Sequence, residues 1–298
     1  MTRPVPVWRA DAALVLNTLI WGATFVLVKE ALRGISPFLF LALRFSIAAL
    51  MLAVLFRRSW SRPGAGPANL RGGAIAGVFL FLGYAMQTTG LQFTSASKSA
   101  FLTGLSTVMV PLLGALVYQN RPRLAEWLGV TIATGGMGLM TLESGKFGAV
   151  NPGDLLTLGC AVAFAAHIVT LGHYSREARF EVISLAQLMM AALLGLALFW
   201  WVETPRIVPG PLVWGALAVT SLLATAMAFT IQSWAQRYTS ATRAALIFTL
   251  EPVFAWITSF LVMGESLAPR VAAGAGMILA GVLLVEVKPF TKQQHPSN

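Results

Sequence analysis

Charge is scarce in this chain. Only 11% of its 298 residues are Asp, Glu, Lys or Arg, less than half the share of an ordinary soluble domain. So few charges cannot cover a water-facing surface, and 57% of the chain is hydrophobic. Water is therefore not its main solvent. Cysteine occurs once, at Cys160, which excludes an internal disulfide and a multi-thiolate metal site. Histidine occurs three times, and His173 and His295 fall outside the long apolar runs, so no histidine metal cluster, metal or cofactor is expected. Acids are the rarest charge, 11 against 21 Lys and Arg. The resulting +10 is not read as a nucleic-acid surface, because membrane proteins concentrate Lys and Arg in cytoplasmic loops.

What is abundant is long apolar sequence. A helix needs about 20 mostly apolar residues to cross the hydrocarbon layer. Ten such stretches are present, at roughly 11–30, 37–56, 72–91, 96–118, 124–142, 154–172, 180–201, 211–234, 242–263 and 270–287. The expected fold is an all-α integral membrane protein of ten transmembrane helices. The first stretch is too long for a signal peptide and reads as an anchor. With the N-terminus inside, fourteen Lys and Arg fall on inner segments and six on outer ends, with Arg44 inside the second span. That count predicts both termini in the cytoplasm.

One phrase occurs twice: TSASKSAFLTGL at 94–105 and TSATRAALIFTL at 239–250. Sliding the chain by 145 residues also brings Gln87 onto Gln232, Gly129 onto Gly274 and Gly136 onto Gly281. A shift of 143 brings Trp21 onto Phe164, Thr24 onto His167 and Arg44 onto Gln187. The unit is thus five spans used twice, residues 1–147 and 148–298. Five is odd, so the second copy must enter the membrane inverted. The loop after the second span carries Arg57, Arg58, Arg62 and Arg71, and its partner after the seventh carries only Arg206. Inverted repeats are typical of secondary transporters, where they make inward-open and outward-open states near mirror images.

Several segments also resemble a known family. NTLIWGATFVLVKEAL in the first span, SPFLFLALRF opening the second and LEPVFAWITSFLVMGESL through the ninth, together with the layout of five plus five, resemble the EamA family of the drug/metabolite transporter superfamily. The resemblance implies a carrier of the bacterial inner membrane, working without ATP, that exports amino acids, drugs or other metabolites. It is not expected to be an enzyme. The chain has no GxxxxGK[ST] phosphate loop. Where the family often has an acid after the fourth span this chain has Asn120, which makes the two halves electrically unequal there.

Polar groups inside a span must face protein or water, and helical spacing tells which share a face. Asn17, Trp21 and Thr24 lie at i, i+4 and i+7 of the first span, and Cys160, Phe164 and His167 repeat that pattern in the sixth. Tyr84, Gln87 and Thr88 share a face of the third span, Phe229, Gln232 and Ser233 of the eighth. Lys98 and Ser106 in the fourth, Arg243 and Glu251 in the ninth, are each eight apart. The candidate cavity residues are therefore Asn17, Trp21, Thr24, Tyr84, Gln87, Thr88, Lys98, Ser106, His167, Gln232, Arg243 and Glu251. Spans one, three, four, six, eight and nine should line the cavity. Lys98 and Arg243 either snorkel to headgroups or contact substrate, and Arg44 reads as a structural lock on a carbonyl or acid. Glu251 is the one acid read as well inside a span. It either bonds the backbone kinked by Pro252 or exchanges a proton during transport. Pro111 is read as a second kink, in the fourth span. Spans five and ten, rich in Gly and Ala, suit a scaffold or a homodimer surface.

The cations around a single midplane acid favour a zwitterion or carboxylate, such as an amino acid. Export is expected, by alternating access around a central cavity. The alternatives are import of a sugar or nucleoside, or multidrug export, on the same fold. A carrier of hydrophobic cations would want an acid in the first span, whose face offers Asn17 and Thr24 instead. An intramembrane enzyme needs clustered His, Asp or Glu, and His167 with Glu251 is too little. Lipids and a small-molecule substrate are the expected partners; nucleic acid is not.

Overall fold

The computed structural model describes residues 5–59, 66–94, 96–119, 122–141, 151–176, 178–263 and 269–287. Every one of the ten apolar stretches lies on helix. In chain order the helices are α1 (Val7–Ala31), α2 (Pro37–Leu55), α3 (Pro67–Gly90), α4 (Ala96–Gly104), α5 (Ser106–Tyr118), α6 (Leu124–Thr141), α7 (Pro152–Tyr174), α8 (Phe180–Val202), α9 (Pro211–Ser221), α10 (Ala228–Ala235), α11 (Ala241–Phe248), α12 (Glu251–Met263) and α13 (Pro269–Val287). A π-helical turn, Leu222–Met227, joins α9 to α10.

Among the described residues, seven helical segments are long and apolar enough to cross a membrane. The ninth stretch, where Thr249 and Leu250 separate α11 from α12, and the fifth, α6, are not among them. The described apolar part of α13, Pro269–Val285, is also short of a full span.

Proline starts several helices, at Pro37, Pro67, Pro152 and Pro211, where its missing N–H costs no intrahelical bond. At α7 the start is fixed further by a reciprocal cap: Asn151 accepts from the Asp154 N–H and Asp154 accepts from the Asn151 N–H, both at 3.0 Å.

The packing gives the molecule two ends. At the far end, where α1 stops, residues 34–36 pair with 206–208: the Ser36 N–H donates to the Arg206 carbonyl at 2.9 Å, and the Leu39 N–H to Glu203 Oε1 at 2.9 Å. At the near end, where α1 starts, Phe56 meets Phe180 edge-on at 6.1 Å. Thus α2 and α8 pack antiparallel, and between these ends Gly195 lies so close to Ala42 that a Cβ would sit 2.9 Å from its Cα.

Helices α6 and α13 are antiparallel too. A Cβ on Gly129 would meet the Gly281 carbonyl at 2.8 Å, and one on Gly136 the Gly274 carbonyl at 2.6 Å. The Gly and Ala of spans five and ten therefore pack these two helices on each other within the chain. Helix α3 lies on α7, and α9, α10 and the turn between them lie on α1.

The breaks in the fourth and ninth spans fall at Leu105 and Leu250, which are equivalent in the repeat. Pro111 lies inside α5, beyond the break, and so does not make it. Pro252 sits at the second residue of α12, where it fits a helix start.

Candidate functional site

A cavity of about 350 Å³ lies at the middle of the helices, within the range of small-molecule sites. Its aromatic wall has an internal match. Tyr84 packs edge-on against Phe164, with ring centroids 5.2 Å apart, and Phe229 packs tilted against Trp21 at 5.5 Å. Tyr84 and Phe229 are equivalent in the repeat, as are Trp21 and Phe164. The four rings form two matched pairs, closed across by Tyr84–Phe229 at 6.2 Å. Phe248, at the end of α11, adds an edge contact to Trp21 at 5.1 Å.

The polar walls do not match. In the first half, Arg44 is 3% exposed and lines the cavity. Its Nε donates to Thr225 Oγ1 at 2.6 Å, and its Nη2 lies 3.3 Å from both the Tyr84 hydroxyl and the Ala224 carbonyl. The guanidinium carbon lies 4.5 Å from the Tyr84 ring centroid. Trp21 Nε1 donates to the same Ala224 carbonyl at 2.9 Å. Two side chains thus share a carbonyl that the π-helical turn frees from the regular ladder. Among the described residues no acid pairs with Arg44. Its expected role as a lock on a carbonyl holds at Ala224, but it also faces the cavity.

In the second half, Gln187 stands where Arg44 does. His167 Nε2 and Gln187 Oε1 are 2.8 Å apart, and Gln187 Nε2 donates to Ser233 Oγ at 3.0 Å. This wall carries no guanidinium and no phenol.

Nine of the twelve expected residues line the cavity: Trp21, Thr24, Tyr84, Gln87, Thr88, Ser106, His167, Gln232 and Glu251. Gln87 Nε2 donates to Thr103 Oγ1 at 3.3 Å, and Gln232 Nε2 to Gln236 Oε1 at 3.0 Å. Thr24 returns its hydroxyl to the Ile20 carbonyl of its own helix at 2.9 Å. Glu251 makes no hydrogen bond or ion pair with the described residues, so it does not hold the backbone near Pro252. Gly22 lets α1 approach it closely: a Cβ there would sit 2.8 Å from the Glu251 carbonyl and 2.9 Å from the Ala255 N.

Three expected residues are not brought to the cavity. Asn17 is fully buried, with neither amide atom bonded to the described residues, and does not line it. Lys98 stands on α4, and its side chain, like Asn120, lies outside the described residues. Arg243 neither snorkels nor reaches the cavity, because its Nη2 donates to Asp11 Oδ2 at 2.7 Å in a pair with 10% and 8% side-chain exposure. The reason lies in α1, which begins at Val7 and so carries Asp11 inside the helix. Glu251 is therefore not the sole acid within the helices. Nor do Arg243 and Glu251 share a face of one helix, since the break at 249–250 separates them.

Sequence spacing also missed Thr103, Phe248 and Trp256 in the lining. Trp256 and Phe248 flank the break, where no helical period carries across.

The chain matches the EamA-like transporter family twice, over residues 8–142 and again over 151–287. It belongs to the EamA-like transporter family. It is 36% identical over 279 residues to an uncharacterized transporter of Archaeoglobus fulgidus, covering 94% of this chain and 86% of that protein. It is 24% identical to the uncharacterized transporter YoaV of Bacillus subtilis, over 90% of this chain and 93% of that one. A solved crystal structure shares the fold with a TM-score of 0.77 at 18% identity, over 93% of this chain and 96% of that chain. The molecule is thus a multi-pass membrane transporter.

Proposed function

We propose that this EamA transporter is a secondary carrier of the bacterial inner membrane that exports small zwitterions or carboxylates, amino acids above all, by alternating access. It spans the bilayer ten times, as two inverted repeats of five, 1–147 and 148–298, with both termini cytoplasmic. Support for the inversion comes from direction: α2 and α8 are equivalent in the repeat and run antiparallel, as do α6 and α13. The excess of Lys and Arg on the inner segments supports the orientation.

The observation that carries the substrate class is the cation–acid combination in one cavity. Both Arg44 and Glu251 line it, and among the described residues neither has an ion-pair partner. A buried charge demands compensation, and a carboxylate on the guanidinium would supply it. Glu251 would then take the ammonium group, or a proton in exchange for it. The aromatic rings leave room for an apolar side chain.

The test is counterflow in proteoliposomes loaded with an unlabelled amino acid, with the labelled one outside. Transient accumulation of label supports the reading. No counterflow with any amino acid, but counterflow with a nucleoside, a sugar or a hydrophobic cation, replaces it with one of the other cargoes of this fold.

A further inference from the structure

The π-helical turn takes one whole edge of the Arg44 guanidinium. Nε and Nη2 form that edge, and two neighbouring residues meet it. Thr225 Oγ1 accepts from Nε at 2.6 Å, and the Ala224 carbonyl lies 3.3 Å from Nη2. The other Nη2 hydrogen goes to the Tyr84 hydroxyl, also at 3.3 Å. A guanidinium has five N–H donors, so the two on Nη1 remain. Nη1 has no partner among the described residues and is not one of their buried, unbonded atoms. Arg44 lines the cavity, so Nη1 is the nitrogen that faces it.

The same contact orients the Tyr84 hydroxyl. Arginine only donates, so the phenol oxygen accepts from Nη2 and its own hydrogen must point elsewhere. Among the described residues it donates to none. Tyr84 lines the cavity beside Arg44. Its ring is held on several sides: Phe45 and Phe164 meet it edge-on at 5.6 and 5.2 Å, and the guanidinium carbon lies 4.5 Å from its centroid. Two donors, one charged and one neutral, are therefore left for the cavity on one wall.

The second wall offers no such pair. Phe229 stands in the place of Tyr84 and Gln187 in that of Arg44. Both ends of the Gln187 amide are bonded within the wall, to His167 and Ser233.

We propose that the carboxylate seat has two prongs, Arg44 Nη1–H and Tyr84 O–H, and that Tyr84 decides specificity by donating to the second carboxylate oxygen. This rests on the carboxylate reading and names the atoms that carry it. Thr225 and Ala224 do not line the cavity; they are positioning residues that fix which guanidinium nitrogen meets the cargo. Because both prongs donate, a carboxylate fills both. A primary amide has one acceptor oxygen and turns its own N–H towards the other prong, leaving a donor unpaired, so it is rejected.

The test is competition against leucine counterflow in proteoliposomes, with leucine and leucinamide as competitors. The full chain is used unmodified, as Tyr84→Phe, and with a ring-fluorinated tyrosine in place of Tyr84. Phenylalanine is the residue of the second wall, so the ring packing is kept. The unmodified protein should prefer leucine to leucinamide, and Tyr84→Phe should cut that preference about tenfold. Fluorination makes the phenol a stronger donor and a weaker acceptor. Tighter competition by leucine in the fluorinated protein, at a pH where the phenol keeps its proton, is the result expected of a hydroxyl that donates to the cargo. Weaker competition there, or a Tyr84→Phe that loses leucine and leucinamide alike, marks a hydroxyl that only holds Arg44. Either result overturns the two-pronged seat and leaves the carboxylate reading in place. An unmodified protein that does not distinguish the two competitors overturns the carboxylate reading itself, and the seat with it.

Discussion

The two walls of the cavity descend from one pattern and have parted in chemistry. Ring for ring they agree: Tyr84 on Phe164 matches Phe229 on Trp21. Behind the rings they differ. The first half has Arg44, the Tyr84 hydroxyl and the Trp21 indole around one freed carbonyl. The second has Gln187, His167 and Ser233, and a phenylalanine in place of the tyrosine. The difference teaches that the repeat maintains what both states of a carrier need, namely helix crossings, breaks and charged ends. A carrier that binds its cargo in one orientation has no need to duplicate the polar contacts. The π-helical turn is the clearest case. Among the described residues it occurs only in the eighth span, which meets Arg44, and α3, its counterpart, is α-helix throughout.

The strongest way to break the comparison is to write the second wall into the first. Arg44→Gln removes the cavity cation and leaves Thr225 and Tyr84 without their charged donor. Hydrogen bonds to charged groups contribute about 1.5–3 kcal/mol each, so counterflow of an amino acid at low concentration should fall about 100-fold. Arg44→Lys should recover only part, because an ammonium lacks the planar fork. Normal counterflow in Arg44→Gln would show the two walls to be interchangeable.

Next in size is Gly22→Ala. The equivalent residue in the second half is already Ala165, so only the first half is closed tightly enough to need glycine. Forcing a methyl into the α1–α12 contact should cost about 1–3 kcal/mol, read as a lower melting temperature in detergent. Ala165→Gly should cost about 1 kcal/mol or less. Equal effects at the two positions would remove this asymmetry.

A smaller effect is expected from Trp21→Phe, which writes in the residue of the second wall. It loses one donor to the Ala224 carbonyl, about 1 kcal/mol, and should weaken apparent substrate affinity about fivefold. His167→Gln should be milder still, about twofold or less, because a glutamine can keep a bond to Gln187. A larger loss at His167 than at Trp21 would place the cargo on the second wall.

Much of the frame was legible in the sequence, for physical reasons. Apolar length and the glycine register at Gly129, Gly136, Gly274 and Gly281 are local signals, and they predicted where helices lie and which pack closely. The cavity face was legible for the same reason, since Tyr84 with Gln87 and Phe229 with Gln232 keep helical spacing. Three features were hidden. Kinks were read at Pro252 and Pro111; the helix is interrupted beside Pro252, at Leu250, but in the fourth span at Leu105 and not at Pro111, and neither leucine carries a special side chain. The π-helical turn LLATAM reads like any other apolar stretch. The Asp11–Arg243 pair joins residues far apart in sequence, and Asp11 stood at the very edge of its apolar run, where a charge looks solvated.

The measurement that tests the account most directly is competition against amino-acid counterflow by the cargo's own fragments. The transported amino acid is set against its deaminated acid and its decarboxylated amine, in the unmodified protein and in Arg44→Gln. The account predicts that the unmodified protein is inhibited best by the zwitterion, then by the acid and least by the amine, and that Arg44→Gln loses the advantage of the acid over the amine. An amine that competes as well as the zwitterion, with the same ranking in both proteins, would contradict a carboxylate seat at Arg44.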